Sequence, residues 1–95
     1  MKCIELIFSR HAIQRMFERG LGTADVRAVL DKGKTIADYP DDKPFPSRLI
    51  LGFARNQPIH VVVAFDESNG WCSVVTAYLP DPAAWNDDFT TRRAR

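Results

Sequence analysis

The hydrophobic pattern of this chain changes its period at Gly33. Before this glycine, apolar residues recur at the three- and four-residue spacing of amphipathic helices. After it, they form short runs typical of strands, separated by Gly, Pro, Asn and Asp. Helices followed by strands indicate an α+β domain with the helices on one face of an antiparallel sheet. At 95 residues the chain has room for one such domain, over residues 1–95.

Two helices are predicted before Gly33. The first covers residues 10–19, because Ser9 is a suitable N-cap and Gly20 a suitable stop. Its apolar side carries Ala12, Ile13, Met16 and Phe17. The second is expected to be capped by Thr23 and to end at Gly33. The short link between the two helices predicts an αα-hairpin.

Four strands are predicted after the helices, over Lys34–Tyr39, Ser47–Ala54, Ile59–Phe65 and Trp71–Leu79. The segment PDPAAWNDDF then predicts a short C-terminal helix starting near Pro82. The early segment CIELIF fits either a further strand or the lead-in to the first helix. The predicted fold is therefore an N-terminal αα-hairpin packed on a three- or four-stranded antiparallel sheet, with a short C-terminal helix.

Charge and hydropathy favour an ordinary globular domain. The formal net charge is +1, which is a weak indication of nucleic-acid binding, because such binding usually depends on several Lys or Arg contacts to phosphates. No apolar run approaches the roughly 18 residues that span a bilayer, so no membrane association is expected. The start MKCIELIF lacks the cleavage site of a secretory signal, which predicts a cytoplasmic protein. The basic tail, residues 91–95, is expected to fray.

The two cysteines, Cys3 and Cys72, are predicted to be small buried thiols in a reducing cytoplasm. With His11 and His60 they make four soft ligands, the number that a structural zinc needs. Their spacing lacks the local pairs that zinc sites usually show. No metal is predicted, and a zinc-stabilised domain stays a minor alternative.

Four segments together carry a resemblance to a known family: HAIQRMFERGL, the following helix that ends in glycine, RLILGF and VVTAYLPDPAAW. They resemble a small bacterial family labelled a domain of unknown function, over nearly the whole chain. That family is similar in element order and size to ribonuclease toxins of the RelE and BrnT type. The resemblance implies a RelE/barnase-like fold and RNA cleavage without metal or cofactor. It also implies RNA, free or on the ribosome, and an antitoxin protein as partners, while the oligomeric state is not indicated.

In such a reaction the substrate's own 2′-hydroxyl attacks the adjacent phosphate. The protein must then supply a base, an acid and cations for the added charge. His11 and Arg15 are four residues apart and share the polar face of the first helix. This pair suits a general base or acid with a phosphate clamp, and it equally fits a solvated face on which Arg15 pairs with Glu18. Arg19 lies at the edge of that face.

The strands add further candidates. Arg48 is a charge in an apolar strand, which fits a cleft or an exposed alternate position. His60 begins an apolar run, and it suits either a site or a strand end. Tyr78 and Thr76 have the same parity as Val74, so the three are expected on one face of the sheet. On that face the Tyr78 phenol can hold a phosphate oxygen, stack on a base or pack in the core. The predicted site has two parts, catalytic His11, Arg15, Arg48 and Tyr78, and substrate-binding Arg19, His60 and Thr76. We expect the polar face of the first helix to share one concave cleft with the groups on the sheet.

We therefore predict a metal-independent endoribonuclease toxin of a toxin–antitoxin pair. The alternative is a non-catalytic module that binds a protein or peptide, which the near-zero net charge favours. An exposed apolar patch around Trp85 and Phe89 would support this alternative. On their own, Trp71 and Trp85 are interpreted as packing residues.

Overall fold

The computed structural model describes residues 3–94, so Met1, Lys2 and Arg95 lie outside the described part of the chain. The elements are β1 (Glu5–Phe8), α1 (Arg10–Glu18), α2 (Thr23–Lys32), β2 (Lys34–Tyr39), β3 (Ser47–Ala54), β4 (Gln57–Asp66) and β5 (Trp71–Tyr78). Both predicted helices and all four predicted strands are present, with ends within two residues of the expected positions. Neither helix in this range is long and apolar enough to cross a membrane.

The strands form one mixed sheet of five, in the spatial order β1-β5-β4-β3-β2. β2 to β5 are an antiparallel meander, whereas β1 runs parallel to β5 and pairs with it as far as Phe8 and Val74. The predicted three- or four-stranded antiparallel sheet, and with it the RelE/barnase-like fold class, is therefore wrong. Of the two interpretations of CIELIF, the strand is correct. Its four residues are too few to give a periodic signal, and its partner lies near the other end of the chain.

The helices pack on one face of this sheet instead of forming a hairpin of their own, with α1 against β5 and α2 against β3 and β4. α1 begins as predicted, because the Ser9 hydroxyl accepts a hydrogen bond from the Ala12 N–H at 3.0 Å. It ends as predicted at Gly20, which has a left-handed φ of 71°. Of the predicted apolar stripe only Ala12 and Met16 are buried, and Phe17 is 85% exposed. Because α1 packs against β5, only the one row of its side chains that faces this strand is buried.

The start of α2 is held from two sides. Gly22, not Thr23, is its N-cap residue, and the Gly22 N–H donates to Asp25 Oδ2 at 2.9 Å. Arg55, in the turn between β3 and β4, donates to both Asp25 oxygens at 2.8 and 3.1 Å and to the Gly20 carbonyl at 3.0 Å. This bidentate pair ties the β3–β4 turn to the link between the helices.

The core lies between the helices and the sheet. Alternate residues of β4 point into it, as the two-residue period of a strand requires. Burying each large apolar side chain contributes about 1.5–3 kcal/mol, so this cluster is what holds the helices to the sheet. Its buried members are Ala12, Met16, Leu21, Val26, Val29, Leu30, Ile50, Ile59, Val61, Val63, Cys72, Val74 and Ala77.

Gly52 of β3 lets α2 approach the sheet closely. A Cβ atom at this position would lie 2.9 Å from both Cα and Cγ1 of Val29, closer than such atoms normally come. We expect Gly52→Ala to lower the free energy of unfolding by about 1–3 kcal/mol, because the helix must move away from its packed position. The measurement is the urea midpoint at constant slope. Gly22→Ala is the control: its Cβ would meet nothing nearer than 3.7 Å, so it should lose only the small preference of an N-cap for glycine over alanine, and an equal loss in both variants would contradict the close-approach explanation.

An irregularity in β5 changes which of its side chains share a face. Val63 of β4 pairs with Val74, but Val62 pairs with Thr76, so Val75 is an extra residue in the ladder. Val74 therefore lies in the core, whereas Thr76 and Tyr78 lie on the opposite side of the sheet, here called the outer face. The prediction that these three share one face is wrong, because a bulge breaks the simple alternation.

The chain after β5 is not helical, contrary to the short C-terminal helix predicted near Pro82. The Asp81 carboxylate and carbonyl accept backbone N–H groups of the next turn, and Phe89 has a φ of 59°, which a helix excludes. The chain doubles back so that Trp85 forms a backbone bridge with Arg92. This course buries the Trp85 side chain, which is 7% exposed, against the outer face.

Candidate functional site

The predicted cleft between α1 and the sheet is not formed. His11 and Arg15 are both exposed on α1. Arg15 approaches the Glu18 carboxylate at 3.7 Å, which is the solvated-face arrangement considered above. An exposed pair of this kind contributes little to stability.

Arg48 lies far from the position that the cleft requires. It pairs in register with Val63, so it is on the helix face of the sheet. Its guanidinium donates to Asp38 at 2.8 Å and lies over the Phe65 ring at 4.6 Å. Tyr78 pairs with His60, whose neighbours in β4 point into the core, so the phenol is on the outer face. Arg48 and Tyr78 are therefore separated by the sheet itself.

The other predicted residues do come together, around the end of β5. His60 is fully buried, and both of its ring nitrogens are hydrogen-bonded. Nε2 lies 2.8 Å from the Phe89 carbonyl, and Nδ1 lies 3.2 Å from the Tyr78 hydroxyl. Because a carbonyl only accepts, we assign the imidazole proton to Nε2. Nδ1 is then an acceptor, and the Tyr78 O–H donates to it.

Arg19 reaches the same end of β5 from α1. Its Nη1 donates to the Thr76 hydroxyl at 3.1 Å and to the Ala77 carbonyl at 2.9 Å. β1 pairs with β5 only as far as Val74, so this carbonyl lies beyond the last parallel pair. The guanidinium has five donors, of which the Nη1 pair makes these contacts, and the remaining three are directed elsewhere.

Arg92 completes the group from the C-terminal segment. Its guanidinium lies over the Trp85 ring at 5.1 Å, and that ring stands edge-on to His60 at 4.5 Å. The neighbouring Arg93 is also held, through the Pro82 carbonyl at 2.7 Å and Asp87 at 3.0 Å. Residues 91–95 were expected to fray, but Arg92 and Arg93 are both held by contacts, while Arg95 lies outside the described residues.

We call Arg19, His60, Thr76, Tyr78 and Arg92 the Tyr78 cluster. The sequence pointed to four of its members, and it missed Arg92, which only the RRAR run marked as basic. Of the two tryptophans interpreted as packing residues, Trp85 is buried and Trp71 is 47% exposed. The exposed patch around Trp85 and Phe89 that would have supported the binding-module alternative is not formed, because Trp85 is buried.

Burial and neighbouring charge set the protonation of the central pair. Burial lowers the pKa of His60, which the bond to Phe89 partly offsets and the charge of Arg92 reinforces. Burial raises the pKa of Tyr78, and Tyr39 adds to this, while Arg92 and Arg19 oppose it. At neutral pH the imidazole is therefore uncharged and the phenol protonated. This is the state that the assigned hydrogen bond requires.

The buried His60 makes stability depend on pH. Its folded-state pKa lies below the unfolded value of about 6.5, so the unfolded chain binds more protons below that pH. The contribution of the neutral imidazole is fully present above pH 6.5, and it is lost as the pH falls toward the folded-state pKa. We expect a lower urea midpoint at pH 5 than at pH 7.5. His11→Ala is the control and should keep this difference, whereas a midpoint independent of pH in this range would contradict the burial of a neutral His60.

The cysteines are not the free thiols that were predicted. Cys3 and Cys72 form a disulfide, with their Cα atoms 5.6 Å apart, which links the start of β1 to β5. The zinc alternative thereby loses two of its four ligands. Among residues 3–94, no three or more His, Cys, Asp or Glu side chains are grouped so that they could hold a metal ion.

Two helices on one face of a mixed five-stranded sheet, with a polar cluster on the outer face, define a small α+β domain. The chain belongs to the family described as Domain of unknown function (DUF4258), whose model matches residues 8–79. This confirms the resemblance to a small domain-of-unknown-function family. No curated protein and no solved structure matches the chain. The further likeness to RelE and BrnT toxins finds no support in these comparisons.

Proposed function

We propose that this protein is a metal-independent endoribonuclease whose active site is the Tyr78 cluster. The observation that carries the proposal is the hydrogen bond from the Tyr78 phenol to Nδ1 of the buried His60, beside two arginines. A hydroxyl held on the acceptor nitrogen of an oriented imidazole is a common device for moving a proton at neutral pH.

In the proposed reaction the substrate's 2′-oxygen forms a bond to the adjacent phosphorus, and the bond from phosphorus to the 5′-oxygen breaks. Tyr78 accepts the 2′-hydroxyl proton while its own proton passes to Nδ1 of His60. The Phe89 carbonyl, bonded to Nε2 at 2.8 Å, steadies the imidazolium that results. The leaving 5′-oxygen takes a proton from water at the surface of the site, and the imidazolium then returns its proton through Tyr78 to the hydroxide that this forms. The products are a cyclic phosphate and a free 5′-hydroxyl.

The arginines supply the charge that this reaction needs. The phosphorane carries more negative charge than the substrate phosphate, so cations that contact it lower the barrier. Arg19 keeps donors for phosphate beyond those that bind Thr76 and Ala77. Arg92 is exposed and lies close enough to affect both His60 and Tyr78. In this proposal Arg15 and Arg48, which lie outside the cluster, have no catalytic role.

The proposal includes the wider role of a toxin of RelE or BrnT type acting in the cytoplasm, which requires that the fold persists when Cys3 and Cys72 are reduced. A ribonuclease with an open surface site damages the cell that makes it unless a second protein covers that site. We therefore propose an antitoxin partner that binds over the Tyr78 cluster. Because this antitoxin would contact Arg19 and Arg92, we expect its binding segment to be acidic.

The test is expression of the full chain alone in cells, followed by growth and by gel analysis of total RNA. We expect growth arrest and fragmented RNA. Arg10→Gln, an exposed arginine at the start of α1, is the matched control and should be as toxic as the parent. Normal growth with intact RNA, at a high level of folded protein, would contradict the proposal and leave the non-catalytic binding module as the better interpretation.

A further inference from the structure

We infer that a groove at the other end of the outer face binds a nucleobase of single-stranded RNA, a few nucleotides from the phosphate that is cleaved. The groove, here called the Trp71 groove, is lined by the rings of Phe45 and Trp71, by Val75, and by the charged residues Asp42, Lys43 and Asp66. The inference rests on the proposed function, because it assigns the groove to the same substrate.

The Trp71 groove has the size and lining of a site for a flat ring. Its volume is about 450 Å³, within the range of small-molecule sites. Trp71 is 47% exposed and Phe45 is 42% exposed, so both rings are accessible to a ligand. Aromatic side chains on an open sheet face are the usual stacking platforms for single-stranded nucleic acid.

The groove and the Tyr78 cluster lie on one continuous surface. Trp71 pairs with Asp66 and Ser73 pairs with Ala64, and both partners have the parity of His60 in β4, so these side chains are on the outer face. β5 leads directly from Val75 in the groove to Thr76 and Tyr78 in the cluster. Trp71 and Tyr78 are the two ends of β5, about 20 Å apart along the strand, so a base stacked on Trp71 lies a few nucleotides from a phosphate at Tyr78.

Charge orients a nucleotide along this surface. The cluster end carries Arg19 and Arg92, whereas among the described residues the groove end carries Asp42 and Asp66 with a single cation, Lys43, and is therefore net negative. A phosphate is attracted to the first and repelled from the second, which leaves the base for the groove. The Asp42 carboxylate accepts a hydrogen bond from the Ser47 hydroxyl and has further lone pairs for the amino group of a base. An uncharged ring with donor groups at its edge fits this end better than a backbone phosphate does.

The experiment measures binding without cleavage. The full chain carrying Tyr78→Phe is titrated into a labelled single-stranded RNA tetranucleotide, and the dissociation constant is taken from fluorescence anisotropy. Trp71→Ala and Phe45→Ala are each added to this background. Loss of a base–aromatic stack weakens binding, and we expect roughly tenfold for each variant. The same strand with abasic riboses should bind all variants equally.

Phe17→Ala is the matched control, because Phe17 is 85% exposed on α1, on the other side of the sheet. Unchanged affinity in both groove variants, an equal loss on the abasic strand, or tighter binding of an apolar peptide than of RNA would overturn the inference. If the wild type cleaves RNA but Trp71→Ala does not weaken binding, the nucleobase site is wrong and the proposed nuclease activity stands. If binding depends on the bases and on Trp71 but the wild type does not cleave RNA, the nucleobase site is supported and the proposed nuclease activity is wrong.

Discussion

Tyr78→Phe is expected to lower kcat for RNA cleavage by about 10²- to 10⁴-fold, the range typical of losing a general acid–base group. The substitution removes one oxygen, and with it the hydrogen bond to Nδ1 of His60. The 2′-hydroxyl proton then has no route to the imidazole. KM should change little, because Arg19 and Arg92 still meet the phosphate. The measurement is the initial rate on a defined RNA at several substrate concentrations.

The chain has only one other tyrosine, which makes a matched control available. Tyr39 influences Tyr78 electrostatically, but the His60 ring is bonded to Tyr78 and Phe89. We expect Tyr39→Phe to keep kcat within a few-fold of the wild type. Equal losses in the two variants would argue against a relay through His60. An active Tyr78→Phe protein would exclude Tyr78 as the catalytic hydroxyl.

Loss of the disulfide should have the largest effect on stability. Cys3 and Cys72 are 69 positions apart, and in the chain-entropy model a cross-link over such a loop contributes about 4 kcal/mol. Small domains are typically stable by about 5–15 kcal/mol, so much of the total depends on this bond. The bond also holds β1, a four-residue strand that pairs with β5 alone. We expect Cys3→Ser to lower the urea midpoint strongly without changing the sheet of β2 to β5.

Treatment with a reductant serves as the control for this variant. Reduced wild type should unfold at nearly the same urea concentration as Cys3→Ser without reductant, because neither protein has the cross-link. Cys72→Ser should be less stable still, because Cys72 is 2% exposed and its replacement buries a hydroxyl. Oxidised and reduced wild type with the same midpoint would show that the bond does not form or does not stabilise the fold.

Local features of the sequence were sufficient to predict most of the elements. Ser9 and Gly20 mark the two ends of α1 as expected, and Arg55 and Asn56, which lie between two predicted strands, take the positive φ values of a tight turn. β1 and the C-terminal segment could not be predicted in this way. β1 is a strand only because β5 offers a free edge, and the C-terminal turn exists because Trp85 is buried against His60. Both depend on contacts between distant parts of the chain.

The candidate site was predictable in its residue types but not in its arrangement. The sequence indicated Arg19, His60, Thr76 and Tyr78, and these four meet at the end of β5. His11 and Arg15 have the same chemistry but lie on the solvent side of α1. The position of Arg48 was predicted wrongly. The alternation of side chains along a strand sorts them onto two faces of the sheet, but it does not say which face the helices cover. One bulge at Val75 was enough to change the face of Thr76 relative to Val74.

End-group analysis of cleaved RNA tests the assignment of the Tyr78 cluster most directly. Purified full-length protein, wild type and Tyr78→Phe, is incubated with a defined single-stranded RNA in a buffer that contains a metal chelator. The expected result is fragments with 2′,3′-cyclic phosphate and 5′-hydroxyl ends from the wild type, and almost none from the variant. Intact RNA with the wild type, or the same fragments from both proteins, would contradict the assignment.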